Sequence, residues 1–199
     1  MKQAILFVAI LAATTTSFAR STSDYIIINR QKIYNDSTGL ITPGMLSEIM
    51  NAVGLQQSFE LKEAKVLNIE ATISHGKRCI FYNPDFISWV TKVTRSKWAA
   101  MALLAHEVGH HLNGHTLQKG GSKPELELEA DEFAGFVLRR LGATLEESQE
   151  VMNYIARPEI SPTHPGRASR MLAIENGWNK AVGNTATVLK RETAKATSN

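Results

Sequence analysis

The spacing of apolar positions changes along the chain, and each change marks an element. From Thr42 to Leu55 they recur at helical intervals behind Pro43, which predicts a short amphipathic helix. From Phe59 to Ile73 the interval falls to two at Leu67, Ile69, Ala71 and Ile73, which predicts a strand. His75-Gly76 is turn chemistry, so Lys77 to Tyr82 returns as a hairpin partner. Asn83-Pro84-Asp85 closes that strand and opens a helix through Val90. Ser96 caps the next run, where Trp98 to Ala105 is apolar on nearly all sides and Asn113-Gly114 supplies a stop. That is the pattern of a buried helix. Pro124 to Leu141, closed by Gly142, predicts a second long helix. Thr144 to Ala156 and Pro165 to Trp178 predict two more. From 184 to 199 the chain is polar without an apolar period and reads as a flexible tail. The expected fold class is α+β: mostly helical, with a small N-terminal β-sheet or hairpin beside the buried helix.

The N-terminus has a different pattern. Met1-Lys2-Gln3, an apolar stretch from Ala4 to Ala13 and Ser17-Phe18-Ala19 read as a secretory signal peptide, 1–19. The stretch is far short of the roughly 20 residues a membrane-spanning helix needs. The expected product is exported, periplasmic or secreted, with one domain over 20–183 and the tail behind it. Losing 1–19 removes Lys2 alone among charged residues, so a net charge of +3 becomes +2. Such a balance carries no footprint for nucleic acid. The single Cys79 lies in the apolar run Cys79-Ile80-Phe81-Tyr82, which favours a buried strand position over pairing with another chain.

The buried helix carries His106-Glu107-Val108-Gly109-His110. Residues four apart share a helix face, so His106 and His110 can grip one ion. Glu107 is placed to take a proton from water at that ion and pass it to a leaving amine. Zinc held by three protein ligands with one open position makes water acidic enough to ionise near pH 7. On the next helix Glu127 and Asp131 share a stripe. Glu125, Glu129 and Glu132 share another, most simply a solvated one at a helix start, where acids are favoured. His111 lies about 100° round the helix from His110 and should not join the same metal shell. His111 and His115 are most simply surface or helix-end residues, and His75 a turn residue.

HEVGH followed by Glu127-Leu128-Glu129-Ala130-Asp131-Glu132-Phe133-Ala134 resembles the gluzincin metallopeptidases of the CAAX-prenyl-protease and HtpX-type family. Thr163-His164-Pro165 with Arg170 resembles that family's T-H-P-x-x-x-x-R segment. The resemblance runs from about Ser96 to Gly177. Integral-membrane members carry several transmembrane helices, whereas no such stretch follows the N-terminal segment here, so the likeness is to the compact soluble minigluzincins or to a periplasmic relative without a repeat domain.

The resemblance implies a zincin-like domain with one zinc ion per chain, held by His106, His110 and Glu127, and Glu107 as the proton-transfer group. It implies that Asp131 orients His106, that Arg170 pairs with site carboxylates, and that His164 stabilises the oxyanion. It further implies an unfolded or extended protein or peptide substrate that adds as a strand to a sheet edge beside the active helix. Arg78 to Asn83 is the candidate edge, against an ordinary core strand. The alternative function is a latent or non-cleaving zinc-binding protein of quality control or interaction, in which His164 closes the open zinc position. A purely structural zinc site fits poorly, because such sites are closed and usually rich in Cys.

Overall fold

Side-chain caps start four of the seven α-helices among the described residues. The structure is a computed structural model that describes residues 41–118 and 122–196, the last stretch, 182–196, as backbone only. The segment read as a signal peptide lies outside the described residues. The Thr42 hydroxyl accepts from Met45 N–H and starts α1, Pro43–Ala52. Asn83 accepts from Asp85 N–H and starts α2, Pro84–Thr94. Ser96 accepts from Trp98 N–H and starts α3, Lys97–Leu112. Pro124 opens α4, Pro124–Leu141, and Gly142 closes it in the left-handed conformation. A short 3-10 turn, His115–Leu117, lies between α3 and α4.

Among the described residues the sheet has three strands: β1, Glu60–Glu63; β2, Ile69–Ser74; and β3, Lys77–Tyr82. Their order is β1-β3-β2. β2 and β3 form an antiparallel hairpin over the two-residue turn His75-Gly76, with φ of 51° and 74°. β1 joins the far side of β3 in parallel. The stretch expected as one strand, Phe59 to Ile73, is therefore two strands on opposite flanks of β3. Between them Ala64 and Val66 turn inward against Cys79 and Phe81, while Leu67 is 82 % exposed. Cys79 is a buried free thiol. β3 is the central strand, so Arg78–Asn83 is no open edge, and of the two readings the core strand holds.

α3 is the axis of the core. Ala99 to Val108 are all buried, packed against α4, the sheet and α2. α2 runs one turn past its expected end at Val90, to a left-handed Arg95; the Thr94 hydroxyl bonds Val90 O at 2.8 Å. The helix expected over Thr144–Ala156 is two, α5 (Leu145–Gln149) and α6 (Met152–Ile155). At their joint Asn153 and Tyr154 N–H bond to the carbonyl three residues back, tightening the run. α7, Arg167–Ala196, starts two residues after Pro165 and continues far beyond Trp178, through most of the stretch expected as a tail. No Pro or Gly follows Gly183, so nothing local stops it. The architecture is α+β and mostly helical. No helix among the described residues is long and apolar enough to cross a membrane.

α4 and α7 make the most extensive helix pair, and two glycines set its depth. A Cβ on Gly135 would stand 2.0 Å from Ile174 O, and one on Gly177 1.8 Å from Glu132 O. Both obstacles are backbone, which cannot rotate away. Gly177→Ala should therefore lower stability by about 2 kcal/mol or more, because overpacking outweighs the roughly 1 kcal/mol gain in helix propensity. Urea denaturation measures this, and a variant as stable as the parent would mean the helices do not approach so closely.

Candidate metal centre

α3 presents His106 and His110 from successive turns, and both Nε2 atoms face one point, 3.0 Å apart. Glu127, in the first turn of α4, faces the same point. Its oxygens lie 3.4 Å from His106 Nε2 and 3.6 Å from His110 Nε2. These three residues form a group able to hold a metal ion. In a tetrahedral shell with bonds of about 2.0–2.1 Å, ligand atoms stand roughly 3.4 Å apart, close to the spacing found here. Two imidazoles and a carboxylate also make three ligands with room for a fourth, so the donor set fits a catalytic type of site.

Three further side chains hold the ligands. Asp131, one helical turn after Glu127, is 2.9 Å from His106 Nδ1 and completely buried. An Nδ1–H donated to Asp131 leaves the Nε2 lone pair facing the metal position. Arg170, on α7, donates to both Asp131 oxygens at 2.7 Å and lies 3.9 Å from Glu127. The Ser122 hydroxyl bonds Glu127 and stands 3.2 Å from Thr163 O, so it touches a ligand and the segment before His164.

Glu107 points from α3 to the sheet, where its carboxylate accepts from Ala71 N–H at 2.6 Å. Ala71 belongs to β2, which among the described residues pairs with β3 alone. Strand alternation then sends the Ile69, Ala71 and Ile73 backbone groups away from β3. Among the described residues the open edge beside the buried helix is therefore β2, in place of Arg78–Asn83. Glu107, the three ligand candidates, residues 69–72 of β2 and His164 line one cavity of about 850 Å³. Phe86, Trp89 and Ile155 give it an apolar wall.

Burial and charge set the proton affinities. Burial pushes the Glu107 carboxyl up to about 7, against the opposing pull of His106 and Ala71 N–H. Burial disfavours a charge on His106, but Asp131 and Glu127 outweigh it and raise the imidazole to about 10. His110 is depressed to about 3 by burial and then by the His106 charge. Asp131 and Glu127 are held below the ordinary carboxylate range: their burial is overcome by His106, with Arg170 adding to the effect at Asp131 and Ser122 at Glu127.

Several histidines take other places than the sequence suggests. His164 is exposed, lines the cavity, and has Nδ1 2.8 Å from the Thr163 hydroxyl; it is not among the converging ligands. His111 is no surface residue: it is 1 % exposed, stacks on Phe59 with centroids 4.8 Å apart, and places Nε2 3.0 Å from Cys79 O. His115 is buried too, with Nδ1 2.9 Å from His110 Nδ1 and Nε2 2.9 Å from Glu129. Of the acids expected to be solvated, Glu125 and Glu129 are exposed and Glu132 is half-buried. Ser122 carried no signal, since serine before a helix is commonplace. His115 carried one, five residues after His110, but no helical period links that spacing to a shared face.

No family model matches the chain, and no curated protein or solved structure matches it.

Proposed function

We propose that this chain is an exported, zinc-dependent endopeptidase of gluzincin type that hydrolyses unfolded or extended polypeptides. The observation that carries this reading is the convergence of His106, His110 and Glu127 in one cavity with the Glu107 carboxylate and an open strand edge. Those three residues would hold the ion. Zinc, when bound, supplies a Lewis acid that makes water nucleophilic and polarises a carbonyl. The remaining chemistry belongs to the chain. Glu107, with a proton affinity near neutrality, takes the water proton and returns it to the amide nitrogen as the bond breaks. Asp131 fixes the His106 tautomer, and Arg170 keeps Asp131 ionised and in place. The β2 edge offers main-chain bonds to an extended substrate, which would take the Ala71 N–H from Glu107 and free that carboxylate. His164, at the cavity rim, is the candidate to stabilise the oxyanion. Sequence patterning supports export, and the near-neutral charge argues against a nucleic-acid partner.

The first test pairs the parent with Glu107→Ala. The parent should hold about one zinc per chain and cleave casein in a chelator-sensitive way. The variant should keep the zinc and lose about 10²–10⁴-fold in kcat. Cleavage that survives both the chelator and the substitution would exclude this mechanism. Zinc uptake without cleavage by the parent would instead leave a metal-binding, non-cleaving protein.

A second test concerns pH. Zinc must displace the proton that Asp131 and Glu127 hold on His106, whose pKa lies at about 10. Zinc affinity should therefore rise with pH, by about tenfold per unit between pH 7 and 9, since one bound proton is released per ion. Competition against a chromogenic chelator of known pH dependence measures it. A flat profile would show that His106 is not protonated in the metal-free protein.

A further inference from the structure

Both nitrogens of His115 are engaged, one by a proposed ligand and the other by a carboxylate. Gly114, with φ of 74°, reverses the chain after α3, and the 3-10 turn carries the His115 ring back beneath His110. The ring centroids are 5.1 Å apart, and the His115 side chain is 4 % exposed. His110 Nδ1 faces His115 Nδ1 at 2.9 Å, and His115 Nε2 faces Glu129 at 2.9 Å.

Proton placement follows from these contacts. His110 Nε2 lies 3.0 Å from His106 Nε2 and faces the metal position, so it must offer a lone pair. Neutral His110 then carries its proton on Nδ1, and that N–H needs an acceptor. His115 Nδ1 is the acceptor in reach. His115 in turn carries its proton on Nε2 and donates it to Glu129. Each hydrogen bond has one donor and one acceptor only when all three groups take these forms.

We propose that His115 and Glu129 are a positioning pair for His110: an imidazole and a carboxylate that set the tautomer and ring direction of the second metal ligand. The proposal rests on the metal site described above. Asp131 does for His106 directly what Glu129 does for His110 through one intervening imidazole. The two ligand histidines are thus backed independently, His106 from the α4–α7 side and His110 from the turn that ends α3. His111 makes the contrast: its nitrogens face Cys79 O and the Thr116 hydroxyl, and neither contact reaches a ligand candidate.

Zinc itself is the probe. Its dissociation constant is measured by chelator competition for the parent, His115→Leu, His115→Asn and Glu129→Gln. The melting temperature of each metal-free protein is recorded beside it. Asn places an amide oxygen where His115 Nδ1 stands and can accept from His110; Leu cannot. His115→Leu should bind zinc about 10–100-fold more weakly. His115→Asn should recover to within about threefold of the parent, and Glu129→Gln, at an exposed carboxylate, should lose a few-fold without loss of melting temperature. Long-range ¹H–¹⁵N spectra of the metal-free proteins should show His110 protonated on Nδ1 in the parent and His115→Asn, and a mixture of tautomers in His115→Leu. If the parent binds zinc and His115→Leu binds it equally well, the pair has no positioning role and the metal site stands without it. If Asn and Leu lose affinity equally with His110 unchanged in tautomer, His115 acts only by packing and the proposal falls. A parent that takes up no zinc overturns the metal-site reading and this one together. Should His115→Leu fail to fold, Glu129→Gln decides: parental affinity in that variant overturns the proposal.

Discussion

A completely buried carboxylate, Asp131, meets an imidazole on one side and a guanidinium on the other, and three helices are held in register by that contact. His106 comes from α3, Asp131 from α4 and Arg170 from α7. An ionised carboxylate at this depth is tolerable only with both partners present; removing one partner of such a buried pair typically costs about 3–5 kcal/mol. The ion pair is therefore a specification of geometry more than a source of net stability. It requires α7 to lie close on α4, which the missing side chains at Gly135 and Gly177 allow. It also requires α4 to present Asp131 one turn after Glu127, which puts the carboxylate facing the candidate metal position and the carboxylate bracing His106 on one stripe.

Local chemistry was readable in the sequence wherever a single residue type has one job. Ser96 caps α3, Asn83-Pro84-Asp85 opens α2, Gly142 ends α4, and His75-Gly76 turns the hairpin, whereas the Thr42 cap of α1 emerges only in the structure. What could not be read depended on partners distant in the chain. The alternation through Leu67 looked continuous, yet the chain leaves the sheet there because Ala64 and Val66 find a second apolar face under Cys79 and Phe81. Strand order is likewise invisible locally: the parallel return of β1 makes β3 central and moves the open edge to β2. The length of α7 was missed because its C-terminal part lacks an apolar period, although it also lacks any residue that would break a helix.

At the site, spacing of four on a helix was sufficient to bring together His106 with His110 and to put Glu127 and Asp131 on one stripe, since helical geometry is the same in every context. Arg170 and His164 rested on resemblance, and the structure puts them in different surroundings. Arg170 is buried against Asp131, while His164 stands exposed at the cavity rim. His115 was misread because its position follows from a left-handed glycine, which redirects the chain in a way that helical periodicity cannot anticipate.

The groups that make up this centre are drawn from residues 106 to 170, and the last of them arrives on α7. A chain emerging in order from its N-terminus would carry the histidines and Glu127 well before the helix that neutralises Asp131 has docked. Until then the carboxylate has only His106 to offset its charge, and the cavity wall is incomplete. Assembly of the centre is thereby tied to the docking of α7, the element that brings Arg170 to Asp131 after every other member of the cluster is already in the chain.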